Sequence, residues 1–302
     1  MSETAVSAEG EDEATSALLS LEQMLERFDV EAYQHVFDGP RYNIRYATMG
    51  AGPPLLIVPG ICSSIMLYST LMVQLAQRFQ VTVFDYPGVN SDDGADLAAY
   101  SLKNYVEDLL ALGDHLGHAT FRLLGISFGT TVCVRAMARA PDRITAAVLA
   151  SGFVHRPLKA RERFVRFFAG RSRGNLGKSL LMKLMVTRFH GKSLLARDPG
   201  LVDFLTQRRG LIPIRTAAAQ SRAVDATNLS PILGSVSQPV LVVSGQEDPL
   251  VPPEQADELV EGLPNTQRLT IADCGHLPHL SHPELLAEAA MRFFMDATPQ
   301  AT

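Results

Sequence analysis

The 302-residue sequence predicts an α/β protein: a mostly parallel central sheet, helices on both faces, and a helical segment inserted between the sixth and seventh strands. Three observations predict it. Short apolar runs such as PLLIV (54–58), ITAAVLA (144–150) and PVLVVS (239–244) are continuous rather than alternating, as in strands covered on both faces. Helical periodicities separate these runs, the pattern of parallel strands joined by crossover helices. The alternation stops at 152 and resumes at 238, and only helical patterns lie between.

The elements follow in order. Residues 1–15 read as a disordered acidic tail, and 16–28 as an amphipathic helix with Leu18, Leu21, Leu25 and Phe28 on one face. Strands are expected at 33–37 and 41–48, joined by the Asp38-Gly39-Pro40 turn into an antiparallel hairpin. Further strands are expected at 54–58, 81–85, 120–125, 144–150, 239–244 and 267–271. Helices are expected near 66–79, 101–116, 128–140, 254–262 and 283–295. The domain reading is therefore a core of residues 16–152 and 235–302 with a helical cap at 153–234.

Charge supports that division. Residues 153–234 hold sixteen Lys or Arg against four Asp or Glu, a balance of +12, whereas the rest of the chain carries −17. Three widely spaced cysteines, Cys62, Cys133 and Cys274, suggest neither a disulfide framework nor a zinc motif. With an acidic start and no long apolar run, the expected location is cytoplasmic, without a transmembrane segment. Nucleic acid is not an expected partner, since the chain is acidic overall and aromatic residues are sparse.

The segment GISFG at 125–129 carries the chemistry. It follows an apolar strand and opens a helical pattern, so Ser127 would stand on a sharp strand-to-helix turn with its hydroxyl exposed. A serine hydroxyl needs a base to take its proton, and the base needs an acid to hold its tautomer. Asp248, in SGQEDPLVPP just after a strand, and His276, in ADCGHLPHL after the next, supply both in the chain order Ser, Asp, His. Taken alone, Ser127 would read as an ordinary helix N-cap and Asp248 as a turn residue.

The pieces DGPRYNIRYATMGAGPPLLIVPG, VTVFDYPG, GISFG, GQEDPLVP and GHLPHLSHPE together resemble the α/β-hydrolase fold superfamily, of the capped serine esterase and lipase type, over 33–152 and 238–296. That resemblance implies an oxyanion hole from the backbone N–H groups of Ile61 and Phe128. Where such hydrolases usually carry His-Gly, this chain has Pro59-Gly60, so the side chain that often ties the oxyanion loop is absent. The VFDYPG segment and the basic cap also resemble maspardin-like members, whose catalytic machinery is degenerate, although all three triad positions are kept here.

The functional expectation is a serine hydrolase acting on a small ester-like substrate, anionic or lipid-like, with no cofactor and no metal. A carbon–carbon bond hydrolase, lactonase, thioesterase or perhydrolase would use the same three residues. The reading from a different class is a low-turnover binding or signalling protein that keeps the pocket. The clustered His276, His279 and His282 lack further ligands at metal-binding spacing. SRGNLGKS at 172–179 falls one glycine short of a phosphate-binding loop and does not follow a strand.

Overall fold

The computed structural model describes residues 21–90, 100–176 and 210–297. The acidic tail, the first turn of the expected N-terminal helix and the middle of the basic insertion lie outside these residues.

Among the described residues, eight strands form one sheet in the order β1-β2-β4-β3-β5-β6-β7-β8. They are β1 (Tyr33–Asp38), β2 (Asn43–Met49), β3 (Pro54–Val58), β4 (Gln80–Phe84), β5 (Phe121–Ile126), β6 (Ile144–Ala150), β7 (Val240–Gly245) and β8 (Thr266–Ile271). β4 through β8 and β3 run parallel, while β1 and β2 add an antiparallel hairpin at one edge. The hairpin turn spans 39–42 rather than 38–40, because Gly39 N–H donates to Tyr42 O and Asp38 pairs with Asn43. Central strands are buried along both faces, as their unbroken apolar runs require; every residue of β7 is buried. The edge strand β1 is mostly exposed.

Helices cover both faces. α1 (Leu21–Glu31), α2 (Ser69–Leu75, after a 3-10 turn at Ile65–Tyr68) and the last long helix pack one side, where Phe28, Leu71, Leu286 and Phe294 meet the sheet. α3 (Leu102–His115) and α4 (Phe128–Arg139) pack the other, through Tyr105, Leu109, Val132 and Ala136. The helix expected over 66–79 ends early because residues 76–79 turn directly into β4, where Gln80 N–H donates to Pro53 O.

Between β6 and β7 the described residues form α5 (Ala160–Ala169) and α6 (Ile214–Ala226). α6 lays Ala219, Ala223 and Val224 into the core, whereas α5 buries nothing. After β7 come α7 (Pro253–Gly262), the single turn α8 (Pro278–Ser281) and α9 (Pro283–Asp296).

Strand order and register position the site. The chain runs from β3 outward to β4, then crosses back to β5 on the other side of β3. Loops leaving the C-terminal ends of β3 and β5 therefore diverge and open a crevice, the usual place for a ligand in a parallel sheet. Val58 pairs with Gly125, Ile126 with Ala150, and Gly245 with Ile271. All five strand ends therefore deliver their loops to one edge.

Candidate active site

Ser127 sits between β5 and α4 with φ 53° and ψ −120°, a left-handed conformation that is costly for a residue with a Cβ. The surroundings hold it there. Ser127 N–H donates to Ala150 O at 2.9 Å, and its own carbonyl accepts from Thr130 N–H at 2.9 Å and Thr130 Oγ1 at 2.7 Å. The flanking glycines are steric requirements. A Cβ on Gly129 would strike the carbonyls of Val58 and Pro59, and one on Gly125 would lie 2.7 Å from Cys133 Sγ. Ser127 makes no side-chain cap to the helix it precedes, so its hydroxyl remains available.

His276 Nε2 lies 2.9 Å from Ser127 Oγ, and His276 Nδ1 lies 2.8 Å from Asp248 Oδ2. Asp248 and His276 are both buried, at 6% exposure each. The second Asp248 oxygen accepts Leu250 N–H at 2.8 Å and Val251 N–H at 2.9 Å, which leaves Oδ2 directed at the imidazole. Glu247, one residue earlier, is exposed. Its N–H donates to Cys274 O at 2.9 Å, tying the loop after β7 to the loop after β8. Gly245 permits that approach, since a Cβ there would collide with the carbonyls of Cys274 and Gly275. The structure thus brings Ser127, Asp248 and His276 together from three separate loops.

The loop after β3 carries Ile61. Gly60 N–H donates to Tyr68 Oη at 2.9 Å, and Cys62 N–H to Gln220 Oε1 at 2.8 Å. Ser63 Oγ reaches both Gly60 O, at 3.1 Å, and Tyr68 Oη, at 2.9 Å. Asp85 Oδ1 accepts Ile65 N–H at 2.9 Å. Among the described residues, the N–H groups of Ile61 and Phe128 are taken by no protein acceptor, whereas those of Gly60, Cys62 and Ser127 are. Gly60 lies against Ser127: a Cβ on it would be 3.4 Å from Ser127 Cβ. Tyr68, Ser63 and Gln220 therefore tie this loop in place, in a chain that has Pro59 before Gly60.

Several of these residues escaped sequence reasoning. Gln220 lies on α6, 158 residues from Cys62, and nothing local marks it. Tyr68 and Ser63 are hydroxyl residues within eight positions of Gly60, a signal too common to be read alone. Asp85 ends the VFD segment; burial raises its carboxyl to about 6 against the opposing pull of Asn90, Ile65 N–H and Arg45.

The remaining candidates have structural places. His279 stacks on Tyr68 with ring centroids 4.8 Å apart, and His282 Nδ1 pairs with Ser281 Oγ at 2.9 Å. Burial raises the Cys274 thiol to about 11, so it is a poor thiolate source. A depression of about 270 Å³ lined by Pro54, Phe121 and Thr145 opens at the N-terminal strand ends, opposite Ser127.

A sheet of this order, with a serine on a strained strand-to-helix turn and an acid and a histidine following in that chain order, defines the α/β-hydrolase class. The chain belongs to the alpha/beta hydrolase fold family, whose model matches residues 53–283. It is 28% identical to a pimeloyl-[acyl-carrier protein] methyl ester esterase of Nitrosomonas europaea, over 80% of this chain and 96% of that one. It is 24% identical to a 2-(acetamidomethylene)succinate hydrolase of Mesorhizobium japonicum, over 84% of this chain and 92% of that one. The enol-lactonase of Burkholderia xenovorans LB400 superposes with a TM-score of 0.78 at 20% identity, covering 86% of this chain and all of that one. No described helix is long and apolar enough to cross a membrane.

Proposed function

We propose that this hydrolase cleaves carboxylic ester-type bonds through an acyl-enzyme on Ser127. The observation that carries the reading is the continuous relay from Ser127 Oγ to His276 Nε2 and from His276 Nδ1 to Asp248 Oδ2, at 2.9 and 2.8 Å. With Asp248 accepting the Nδ1 proton, Nε2 is the basic nitrogen and faces the hydroxyl.

Ser127 Oγ attacks the carbonyl carbon as its proton passes to His276 Nε2, and the carbonyl π pair moves onto oxygen. The N–H groups of Ile61 and Phe128, together with the N-terminus of α4, stabilise that oxyanion. When the tetrahedral adduct collapses, the C–O bond breaks and the alcohol leaves with the proton from His276. Water repeats the sequence through His276, releasing the acid and restoring Ser127. Asp248 stays ionised throughout and stabilises the imidazolium.

The residues between β6 and β7 act as a cap over this edge, since α6 reaches the loop of Ile61 through Gln220. The substrate is a small ester-like molecule, and the basic cap favours an anionic or lipid-like one. A cytoplasmic setting suits the three free thiols. The lactonase named among the structural neighbours makes an internal ester a reasonable second substrate class.

Hydrolysis of p-nitrophenyl esters of graded chain length, alongside a panel of lactones, tests the reading. Intact-protein mass spectrometry should show one acyl adduct on wild type and none on Ser127→Ala. Turnover retained by Ser127→Ala, or an adduct at another residue, would refute it.

A further inference from the structure

Helix α5 buries none of its ten residues. Arg161, Phe164, Val165 and Phe168 follow at i, i+3, i+4 and i+7, so they share one face, with Phe167 beside it. Phe164 is 66% exposed, Val165 65%, and Phe167 and Phe168 54% each. Four large apolar side chains held in water on one short helix mark an interaction surface rather than scattered exposure.

The opposite face is already used. Arg163 and Arg166 turn towards α6, where Asp225 accepts both at 2.9 and 2.8 Å. Those bridges consume two of the basic charges and set which side of α5 faces the body. Lys159, Arg161, Arg171 and Arg173 stay exposed on the helix or within four residues of its ends. The Arg171 guanidinium lies over the Phe167 ring, 3.7 Å from its centroid. Residues 153–176 hold seven basic side chains and one acidic, Glu162, which caps α5 by accepting Lys159 N–H at 2.7 Å.

Exposed phenylalanines with Arg161 on their own face, and the Arg171 guanidinium over Phe167, match an anionic bilayer: the rings enter the boundary between headgroups and acyl chains, while the guanidiniums meet phosphates. We propose that the outer face of α5 docks this protein onto an anionic lipid surface. A second copy suits the face less well. A twofold contact would set basic against basic across the interface. This surface goes beyond the proposed hydrolysis and does not depend on it.

The test is co-sedimentation of the full chain, as Ser127→Ala so that lipid turnover is absent, with two vesicle types. Phosphatidylcholine mixed with phosphatidylglycerol should retain the protein and release it at high salt, and phosphatidylcholine alone should not retain it. Arg161→Glu/Arg173→Glu should weaken partitioning at least tenfold, given roughly a fivefold effect per surface-facing basic residue. Phe164→Ser/Phe168→Ser should weaken it about as much. On the Ser127 background, both double variants should keep wild-type hydrolysis of a soluble, uncharged short-chain ester. No retention on the anionic vesicles, or equal retention by either double variant, overturns the proposal. So does a fall in melting temperature for the phenylalanine variant, which would place the rings inside the chain's own packing, and so does a dimer that the variant dissolves without any vesicle binding.

Discussion

Gln220 accepts the Cys62 N–H at 2.8 Å, so a buried side chain from the segment between β6 and β7 holds the backbone next to Ile61. The amide orientation follows from that bond: the oxygen faces Cys62, and Gln220 Nε2 is buried without a partner among the described residues. Gln220→Ala should lower kcat for an ester roughly ten- to a hundredfold, less than outright loss of an oxyanion donor, with KM changed little. Gln220→Glu keeps an acceptor oxygen and should recover part of the rate. Steady-state kinetics on both variants decides it; equal kcat in wild type and Gln220→Ala would show that the loop needs no such tie.

Ser127→Ala should abolish hydrolysis, with kcat down by about 10⁴–10⁶. Its melting temperature should stay near that of wild type, since the turn is held by backbone bonds to Ala150 and Thr130. Retention of a tenth of the activity would remove Ser127 as the nucleophile.

Asp248→Asn should cost about 10⁴-fold in kcat by favouring the wrong imidazole tautomer. The exposed Glu247 should tolerate Gln with little loss, because its contribution to the site is its backbone N–H. A reversed ranking of the two variants would move the acid by one residue.

Asp85 should make stability depend on pH. Its folded-state carboxyl titrates near 6, above the unfolded value of 3.8, because burial outweighs the bonds to Asn90 and Ile65. The folded protein therefore holds a proton that the unfolded chain has released. Its contribution to stability is full below pH 4 and is lost as pH rises through 6. Asp85→Asn cannot ionise, so its melting temperature relative to wild type should be higher at pH 7.5 than at pH 4.5. The corresponding difference between the two pH values is on the order of 2 kcal/mol. Paired thermal melts at the two pH values measure it, and a pH-independent offset would show that Asp85 ionises normally.

Much of this molecule is local in origin. PLLIV, AAVLA and PVLVV are short continuous apolar runs, the pattern of strands buried on both faces. GISFG is legible as a strand-to-helix turn because it follows an apolar strand and opens a helical pattern, although the contact that makes Gly129 obligatory, with the carbonyls of Val58 and Pro59, is tertiary. The strand-end positions of Ser127, Asp248 and His276 follow from the same patterns. Ridge positions on α5 are equally local, but whether its phenylalanines face the body or water was not legible from periodicity.

What the sequence alone determined, then, were the strands, their helical crossovers and the chain order of a serine, an acid and a histidine. Only the tertiary structure decided that β3 lies between β4 and β5, that Gly245 lets the two late loops close on each other, and that Gln220 reaches across 158 residues to Cys62. It also decided that Asp225 draws Arg163 and Arg166 inward and leaves the aromatic face of α5 outside. The physical reason is range. Burial patterns and turn sterics act over a few residues and are written in consecutive positions, whereas a hydrogen bond between distant side chains exists only once packing has fixed both ends.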